Sequence, residues 1–586
     1  MVHDPPHLSI HPSLSPRALP DMSIPSLGTV DINHVSYDAA TNSLTWTMTG
    51  ATAGDEEGRT RTHHVVKGER IVAVVPCAEG EEGLMSYIWL EDSDSDSDSD
   101  RPGILRDKQD QSEHPYPYPY ELRRFEAAGE CPAALREFIG GGGSGPQARP
   151  DHLYPAKSSP DITTTAPEST DPNNLHIIIS TLSGTHQASA FYTALLKPLL
   201  ATLHLHEHTD YTPHPTTSPH TITHLTQTIF RPRARRGIAQ TIILLAGDGG
   251  LVEVIKSLTA VSAAEAAGPG TAPVFVPPVV ALVPMGTGNA MAHSAGVIGP
   301  GRDETVGLRG VVGGVARPLP VFAARVSAGA EYVTDQGRGR EGVFVPSSSS
   351  STSHDDHDDG GRGGRGGGGG EAELYGAVVL SWGMHASLVA DSDTPEYRRF
   401  GRERFQMAAK ELLFPAGGGK PHVYRGRISV TTRTTDATTG GEMLRTRLLE
   451  RSEHMYVLVT LCSTLEKGFT ISPSSRPLDG KMWFVHFGPM EAGTVMEVMQ
   501  LAYDGGRHVV DKGDVVGYEE VEAVRIEFCE GEVEERWRRI CIDGMIVVVE
   551  DGGWVEVRKA KREVVRLVVP AGRGLGGDNG ERRDVN

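Results

Sequence analysis

The spacing of apolar residues changes character along the chain. Near the start it follows strands. Ser43-Leu-Thr-Trp-Thr-Met48 alternates, Arg70-Ile-Val-Ala-Val-Val75 is β-branched, and Tyr87-Ile-Trp-Leu90 follows. Tyr120-Glu-Leu-Arg-Arg-Phe125 predicts a returning strand, and Cys131 to Ile139 a short closing helix. Then three continuous apolar runs appear, each followed by a glycine turn and helical spacing. The first is His176-Ile-Ile-Ile-Ser180, with turn Ser183-Gly184 and a helix carrying Phe191, Leu195 and Leu199. The second is Thr241 to Ala246, with turn Gly247-Asp-Gly-Gly250 and a face of Leu251, Val254, Ile255, Leu258 and Val261. The third is Val279 to Val283, with turn Pro284-Met-Gly-Thr-Gly-Asn289 and an Ala-rich helix. Three strand–turn–helix units predict a parallel α/β sheet with helices on both faces. From Arg317 onward strand patterns return: Tyr375 to Leu380, His422 to Tyr424, Met455 to Thr460, Lys481 to His486, Ala523 to Phe528, Arg539 to Asp543 and Val564 to Val569. These predict a β-sandwich-like second domain.

Composition sets the boundaries between these regions. Hydrophobic residues are 38% and aromatics 6%, against 69 glycines and 39 prolines, so compact domains alternate with segments that cannot build a core. The expected order is a disordered tail over 1–27, then a β-rich accessory module over 28–139. That module carries the repeat Asp92-Ser-Asp-Ser-Asp-Ser-Asp-Ser-Asp100, a solvated acidic loop and a candidate for phosphorylation. A Gly/Pro/Ser/Thr linker over 140–174 follows, then the α/β nucleotide-binding domain over 175–316. The β-rich, lipid-binding domain spans 317–570, with a disordered insertion near 335–372, and a tail covers 571–586. Net charge is −20, which counts against nucleic-acid binding, since phosphate backbones are held by Lys and Arg. One basic cluster, Arg231 to Arg236, suits either anionic lipid heads, ATP phosphates or a solvated loop. Five scattered cysteines without CxxC spacing suit a reducing compartment. There is no signal-peptide pattern and no run of 18 apolar residues, so a cytoplasmic protein with peripheral membrane contact is expected.

In an open α/β sheet, ligands sit at the carboxyl ends of the strands, where the three glycine turns fall. Glycine lets backbone N–H groups approach phosphate oxygens, and a helix N-terminus favours negative charge. Glycine is also common in such turns for purely structural reasons. No GxxxxGK[S/T] loop occurs, because Gly419-Lys420 and Gly480-Lys481 are followed by Pro and Met, and the protein-kinase catalytic-loop set is absent. The histidines between His204 and His224 are irregularly spaced, and no metal site is assigned to them.

Gly247-Asp-Gly-Gly-Leu-Val-Glu-Val254 resembles the GDG turn and downstream Glu of the diacylglycerol-kinase-like catalytic domain, and Pro284 to Asn289 resembles its PxGTGN turn. Ser381-Trp-Gly-Met384, Ala390-Asp-Ser-Asp393 and Glu396-Tyr-Arg-Arg-Phe-Gly-Arg-Glu-Arg-Phe405 resemble the sphingosine-kinase branch, and Cys541-Ile-Asp-Gly-Met545 is similar to its late DGE turn. The resemblance covers roughly 175–570 and implies a lipid kinase with an NAD-kinase/diacylglycerol-kinase-like sheet. Such an enzyme uses ATP and Mg²⁺ to phosphorylate the primary hydroxyl of a sphingoid base. By the same resemblance, Asp248 is the general base. Ser183, Gly184, Gly247, Gly249, Gly286, Thr287 and Gly288 line the phosphates, and Glu253 orders the nucleotide site. Arg398 and Arg404 compensate charge on the phosphoryl group. Asp543 and Gly544 approach the nucleotide or its Mg²⁺, and Asp393 faces the ammonium of the lipid. The residues also admit bland readings: Asp248 as the cap of the helix after it, Thr394-Pro395 as an ordinary helix start, and Arg398 and Arg404 on different helix faces. Four positions depart from the family pattern: Ser180-Thr181 for Asn-Pro, Gly250 for Thr, Met545 for Glu, and Pro320 for Asp. They leave two alternatives open, a diacylglycerol or ceramide kinase and a catalytically weakened lipid-binding pseudokinase.

Overall fold

The computed structural model describes residues 31–38, 40–50, 60–76, 84–92, 120–128, 151–153, 173–184, 186–260, 275–299, 305, 307–334, 339–343, 372–401, 403–435, 441–531 and 534–571. The predicted helix at Cys131 to Ile139, the acidic repeat beyond Asp92 and both tails lie outside these residues, as does most of the linker and of the 335–372 insertion. The described part of that insertion is not loop. Gly339–Gly342 is a strand paired antiparallel with Glu331–Thr334.

The amino-terminal region is built of two three-stranded antiparallel sheets, β1 (Asp31–Asp38), β2 (Ser43–Gly50) and β3 (Thr60–Lys67), then β4 (Ile71–Pro76), β5 (Leu84–Asp92) and β6 (Tyr120–Ala128). Trp46 and Trp89 meet at 5.2 Å between the sheets. The second sheet does not stand apart: Val72, Ile88 and Leu122 share one core with Leu175, Ile177 and Leu308 of the next domain. Arg309 Nε donates to the Ile71 carbonyl at 2.7 Å. At about 1.5–3 kcal/mol per buried aliphatic side chain, this shared core holds the module on the α/β domain.

The α/β sheet contains β7 (Leu175–Ile179), β8 (Tyr211–Pro215), β9 (Thr241–Ala246), β10 (Val279–Pro284) and β11 (Gly314–Pro318). β7 to β10 are parallel, and β7 and β9 are buried throughout, which is why they read as unbroken apolar runs. Two features correct the sequence reading. The edge strand β8 lies in the His/Thr/Pro segment, where no strand was predicted. The Val564 to Val569 strand, expected in the sandwich, runs as Arg566–Pro570 parallel to β10, and β11 pairs antiparallel with it. The last described strand therefore completes the first sheet.

The second domain packs a seven-stranded sheet on an eight-stranded one around Phe322, Trp382, Ile428, Phe484, Ile526 and Val555. The predicted single strand Tyr375 to Leu380 is two, Ala372–Gly376 in one sheet and Val379–Gly383 in the other. The chain changes sheets at Ala377 and Val378, and the reason lies in Asp543, described below.

Candidate active site

Strand β9 ends at Gly247, whose extended backbone feeds α1 (Asp248–Thr259), and β10 ends in the turn leading to α2 (Ala290–Ser294). These two turns touch through their glycines. A Cβ on Gly286 would lie 2.5 Å from Gly247 Cα, and one on Gly247 2.8 Å from Gly286 Cα. Gly184, at φ +54°, brings in the first turn, since a Cβ there would sit 2.1 Å from the Met285 carbonyl oxygen. Close packing of three turns is thus the first reason for these glycines, and it also brings their backbones to the carboxyl ends of β7, β9 and β10.

Asp248 is the first residue of α1, yet it caps α2. Its Oδ2 accepts from Ala290 N at 2.7 Å and its Oδ1 from Met291 N at 2.9 Å. Asn289 makes this approach possible. It sits in the left-handed region at φ 54°, accepts from Gly286 N and donates to the Gly286 carbonyl, both at 2.9 Å. Asn289 was absent from the sequence-derived site; an Asn immediately before an apolar helical run was the signal for it. Burial pushes the Asp248 carboxyl up, and the amides of Met291, Ala290 and Asp248 itself oppose this.

The other predicted nucleotide contacts surround this point. Ser183 Oγ hydrogen-bonds Ser180 Oγ at 2.6 Å, and Thr181 is tied to Thr216 through its amide and hydroxyl, so the departure at Ser180-Thr181 makes a hydroxyl-bonded loop. Gly249 faces open space, and Thr287 is partly exposed. A Cβ on Gly288 would come within 3.2 Å of the Leu465 carbonyl oxygen. Gly250 has no room for Thr, because a Cβ there would meet Ala246 Cβ at 2.7 Å. Glu253 lies on α1, one turn before Lys256. Burial pushes its carboxyl up to about 7, against the pull of Lys256, whose ammonium lies 4.1 Å from the Tyr332 ring centroid. The buried Glu253 Oε2 has no hydrogen-bond partner. Of the Arg231 to Arg236 cluster, Arg233 is buried and donates to the Asn173 carbonyl at 2.9 Å. That places it at the entry of β7, the opposite end of the strand from the glycine turns.

Asp543 and Gly544 form the two-residue turn of a hairpin, Arg539–Ile542 with Met545–Val548. Both have positive φ, 50° and 89°, as an Asp-Gly hairpin turn requires. The Asp543 side chain turns inward. Oδ2 accepts from Ala377 N at 2.6 Å, and Oδ1 from Val378 N at 2.9 Å and Val379 N at 2.6 Å. These amides belong to the sheet-to-sheet crossover, so Asp543 supplies the acceptors that the broken strand lacks. Only 8% of the residue is exposed, and both carboxyl oxygens of Asp543 serve the crossover. Burial and the nearby Asp248 push it up to about 7, and the three amides oppose this. Met545 packs against the sandwich core, which accounts for an apolar residue at that position.

Asp393, Arg398 and Arg404 form one cluster. Helix α3 (Met384–Ser392) ends at Asp393, α4 (Pro395–Arg398) is capped by Thr394, and α5 (Glu403–Leu413) follows a break at Gly401, φ +56°. That break lets two arginines six apart converge. Arg398 pairs bidentately with Asp393 at 3.0 and 2.9 Å, and Arg404 reaches it at 3.4 Å. Asp391 pairs separately with Arg536 and Arg539. Among the described residues no group of three or more His, Cys, Asp or Glu is assembled to hold a metal, and Cys462, Cys529 and Cys541 are free thiols.

Residues 174–322 match the diacylglycerol kinase catalytic domain family. No curated protein matches the chain. Among solved structures the chain is similar to a diacylglycerol kinase from Bacillus anthracis str. Sterne, at 12% identity and TM-score 0.36, over 68% of this chain and 96% of that one. Two further structures given that designation in the same organism match at 12% identity with TM-score 0.40 and 13% with 0.37. The family match is confined to residues 174–322, the stretch that carries the three glycine turns. The chain's class is that of the ATP-dependent lipid kinases.

Proposed function

We propose that the acceptor lipid is a sphingoid long-chain base and that Asp248 is the general base for its primary hydroxyl. The observation that carries this reading is the position of Asp248 where the second and third glycine turns meet, its carboxylate held by the first amides of α2. Burial raises its basicity, and general base catalysis contributes typically about 10²–10⁴-fold. ATP phosphates would be cradled by the backbone of the turns at Ser183, Gly184, Gly247, Gly249 and Gly286 to Gly288. Little covalent work is then asked of the protein beyond positioning and charge compensation. Mg²⁺ bound chiefly by phosphates and water needs only one or two carboxylates, and Glu253, with its orphaned oxygen, fits it better than Asp543; it would neutralise charge on the phosphates. Arg398 and Arg404 would meet the transferred phosphoryl group, and Asp393 the lipid ammonium.

A neutral acceptor, diacylglycerol or ceramide, is the second reading. It is favoured by the family match and by Asp393 being already neutralised by both arginines. We also propose that 28–139, 175–316 and 317–570 act as accessory, nucleotide-binding and lipid-binding units, on a protein that is cytoplasmic and peripherally membrane-bound. The test is phosphorylation of sphinganine, sphingosine, ceramide and diacylglycerol in detergent with labelled ATP, with Asp248→Asn and Asp393→Ala beside the wild type. Label on free sphingoid bases, lost in Asp248→Asn and with KM raised in Asp393→Ala, supports the first reading. Label on the neutral lipids, indifferent to Asp393→Ala, replaces it with the second.

A further inference from the structure

The twelve large apolar side chains left exposed among the described residues are not evenly spread: four, Met496, Tyr503, Val510 and Val515, fall at one corner. That corner is α6 (Ala492–Tyr503), a turn through Gly505 and Gly506 at positive φ, and α7 (His508–Asp511). Helix α6 buries Val495, Val498 and Ala502 and turns Met496 and Tyr503, seven apart and so on one face, to the outside. Val510 is 78% exposed, which its packing in the domain does not account for. The surface continues to the active site. Tyr503 meets Phe469 at 4.9 Å between ring centroids, and Phe469 belongs to a small hairpin with Leu465. That hairpin is fastened to α2 through Ser294 Oγ and both the amide and the carbonyl of Thr464, and its Leu465 carbonyl borders Gly288.

The corner is net acidic, since Asp504, Asp511, Glu497 and Asp514 outnumber Arg507 and Lys512. Arg507 pairs with Asp504 and Asp511, and Lys512 with Glu497. Apolar side chains within a net acidic rim gain nothing from anionic heads and suit a neutral bilayer interface, where insertion of apolar area supplies the affinity.

We propose that the α6–α7 corner is a membrane-docking surface, inserting Met496, Tyr503, Val510 and Val515 into the headgroup layer of a neutral bilayer beside the active site. The proposal rests on the acceptor being a membrane lipid, and on neither reading of which lipid it is. Sedimentation of the full chain with phosphatidylcholine vesicles, without ATP, tests it. The wild type should bind at low and high salt alike. Val510→Asp should weaken binding about tenfold, and Met496→Asp with Val510→Asp further still. Both variants should melt with the wild type and turn over detergent-dispersed lipid at the same rate. Vesicle binding unchanged in the double variant would overturn the proposal. So would wild-type binding that needs anionic lipid and disappears with salt, or a corner that governs self-association instead of vesicle binding. Absence of turnover in the wild type would count against the kinase reading, while the vesicle comparison still decides this one.

Discussion

Gly286→Ala is the most direct test of how this site is built. The new methyl would stand 2.5 Å from Gly247 Cα and 2.8 Å from Asn289 Oδ1. Carbon atoms pack at about 3.5–4.0 Å, so the two turns must part by roughly 1 Å. Overpacking of this kind costs about 1–3 kcal/mol, and no flexible side chain is at hand to relieve it on the Gly247 side. A loss near 2 kcal/mol corresponds to a fall of roughly 4–8 °C in Tm for a domain of this size. The displacement reaches the chemistry, because Asn289 holds Gly286 and the next two amides hold Asp248. A misplacement of about 1 Å at a reacting centre costs about 10²-fold in turnover. Thermal unfolding and lipid phosphorylation, measured on the same preparation, read both effects. Gly249→Ala is the internal comparison. Its Cβ would meet nothing within 4 Å, and alanine is the better helix former, so its Tm should match or slightly exceed the wild type. Wild-type stability and turnover in Gly286→Ala would refute the close-packing account. Intact stability with lost turnover in Gly249→Ala would mean that nucleotide, rather than protein, occupies the space beside Gly249.

Three further outcomes follow from the same geometry. Asp543→Asn keeps the shape and tolerates positive φ, but it turns an amide donor towards one of three backbone donors, so urea unfolding should show a loss of about 2 kcal/mol; an unchanged midpoint would remove Asp543 from the crossover. Glu253 has its folded value raised from 4.5 to about 7, so the folded chain retains a proton that the unfolded chain has lost over that interval. Its contribution to stability is complete below 4.5 and is lost as pH rises through 7; Glu253→Gln should therefore flatten stability between these values by about 2 kcal/mol, allowing for partial exposure, and parallel pH profiles would exclude this. Gly250→Thr, although it restores the residue usual in the resembled family, should destabilise by about 1–3 kcal/mol through contact with Ala246, and Ala246→Gly in the same chain should recover part of the loss; a Tm equal to the wild type would show that the turn yields.

The sequence by itself determined whatever depends on neighbours within one turn or one strand. Thr241–Ala246 and Ala523–Phe528 have the bounds their residues predicted, because an alternating run has one period that buries it and a six-residue apolar run closed by a glycine turn is too short for a buried helix. The glycine turns and the Thr394-Pro395 helix start were legible for the same local reason. Tertiary structure decided everything that depends on a partner far along the chain. Arg566–Pro570 reads as a strand from its own residues, but its pairing with Val279–Val280 and with Gly314–Pro318 decides which sheet it joins. The break after Gly376 is invisible locally, since its hydrogen bonds come from a carboxylate 166 residues away. Asp248 looked like a cap for its own helix and caps another, since the direction of its side chain is set by contact between turns 42 residues apart. Arg398 and Arg404, misaligned on any straight helix, meet at Asp393 because Gly401 takes a conformation that spacing alone does not specify. Periodicity is a property of the chain, whereas pairing and the direction of a buried charge are properties of the contacts that satisfy it.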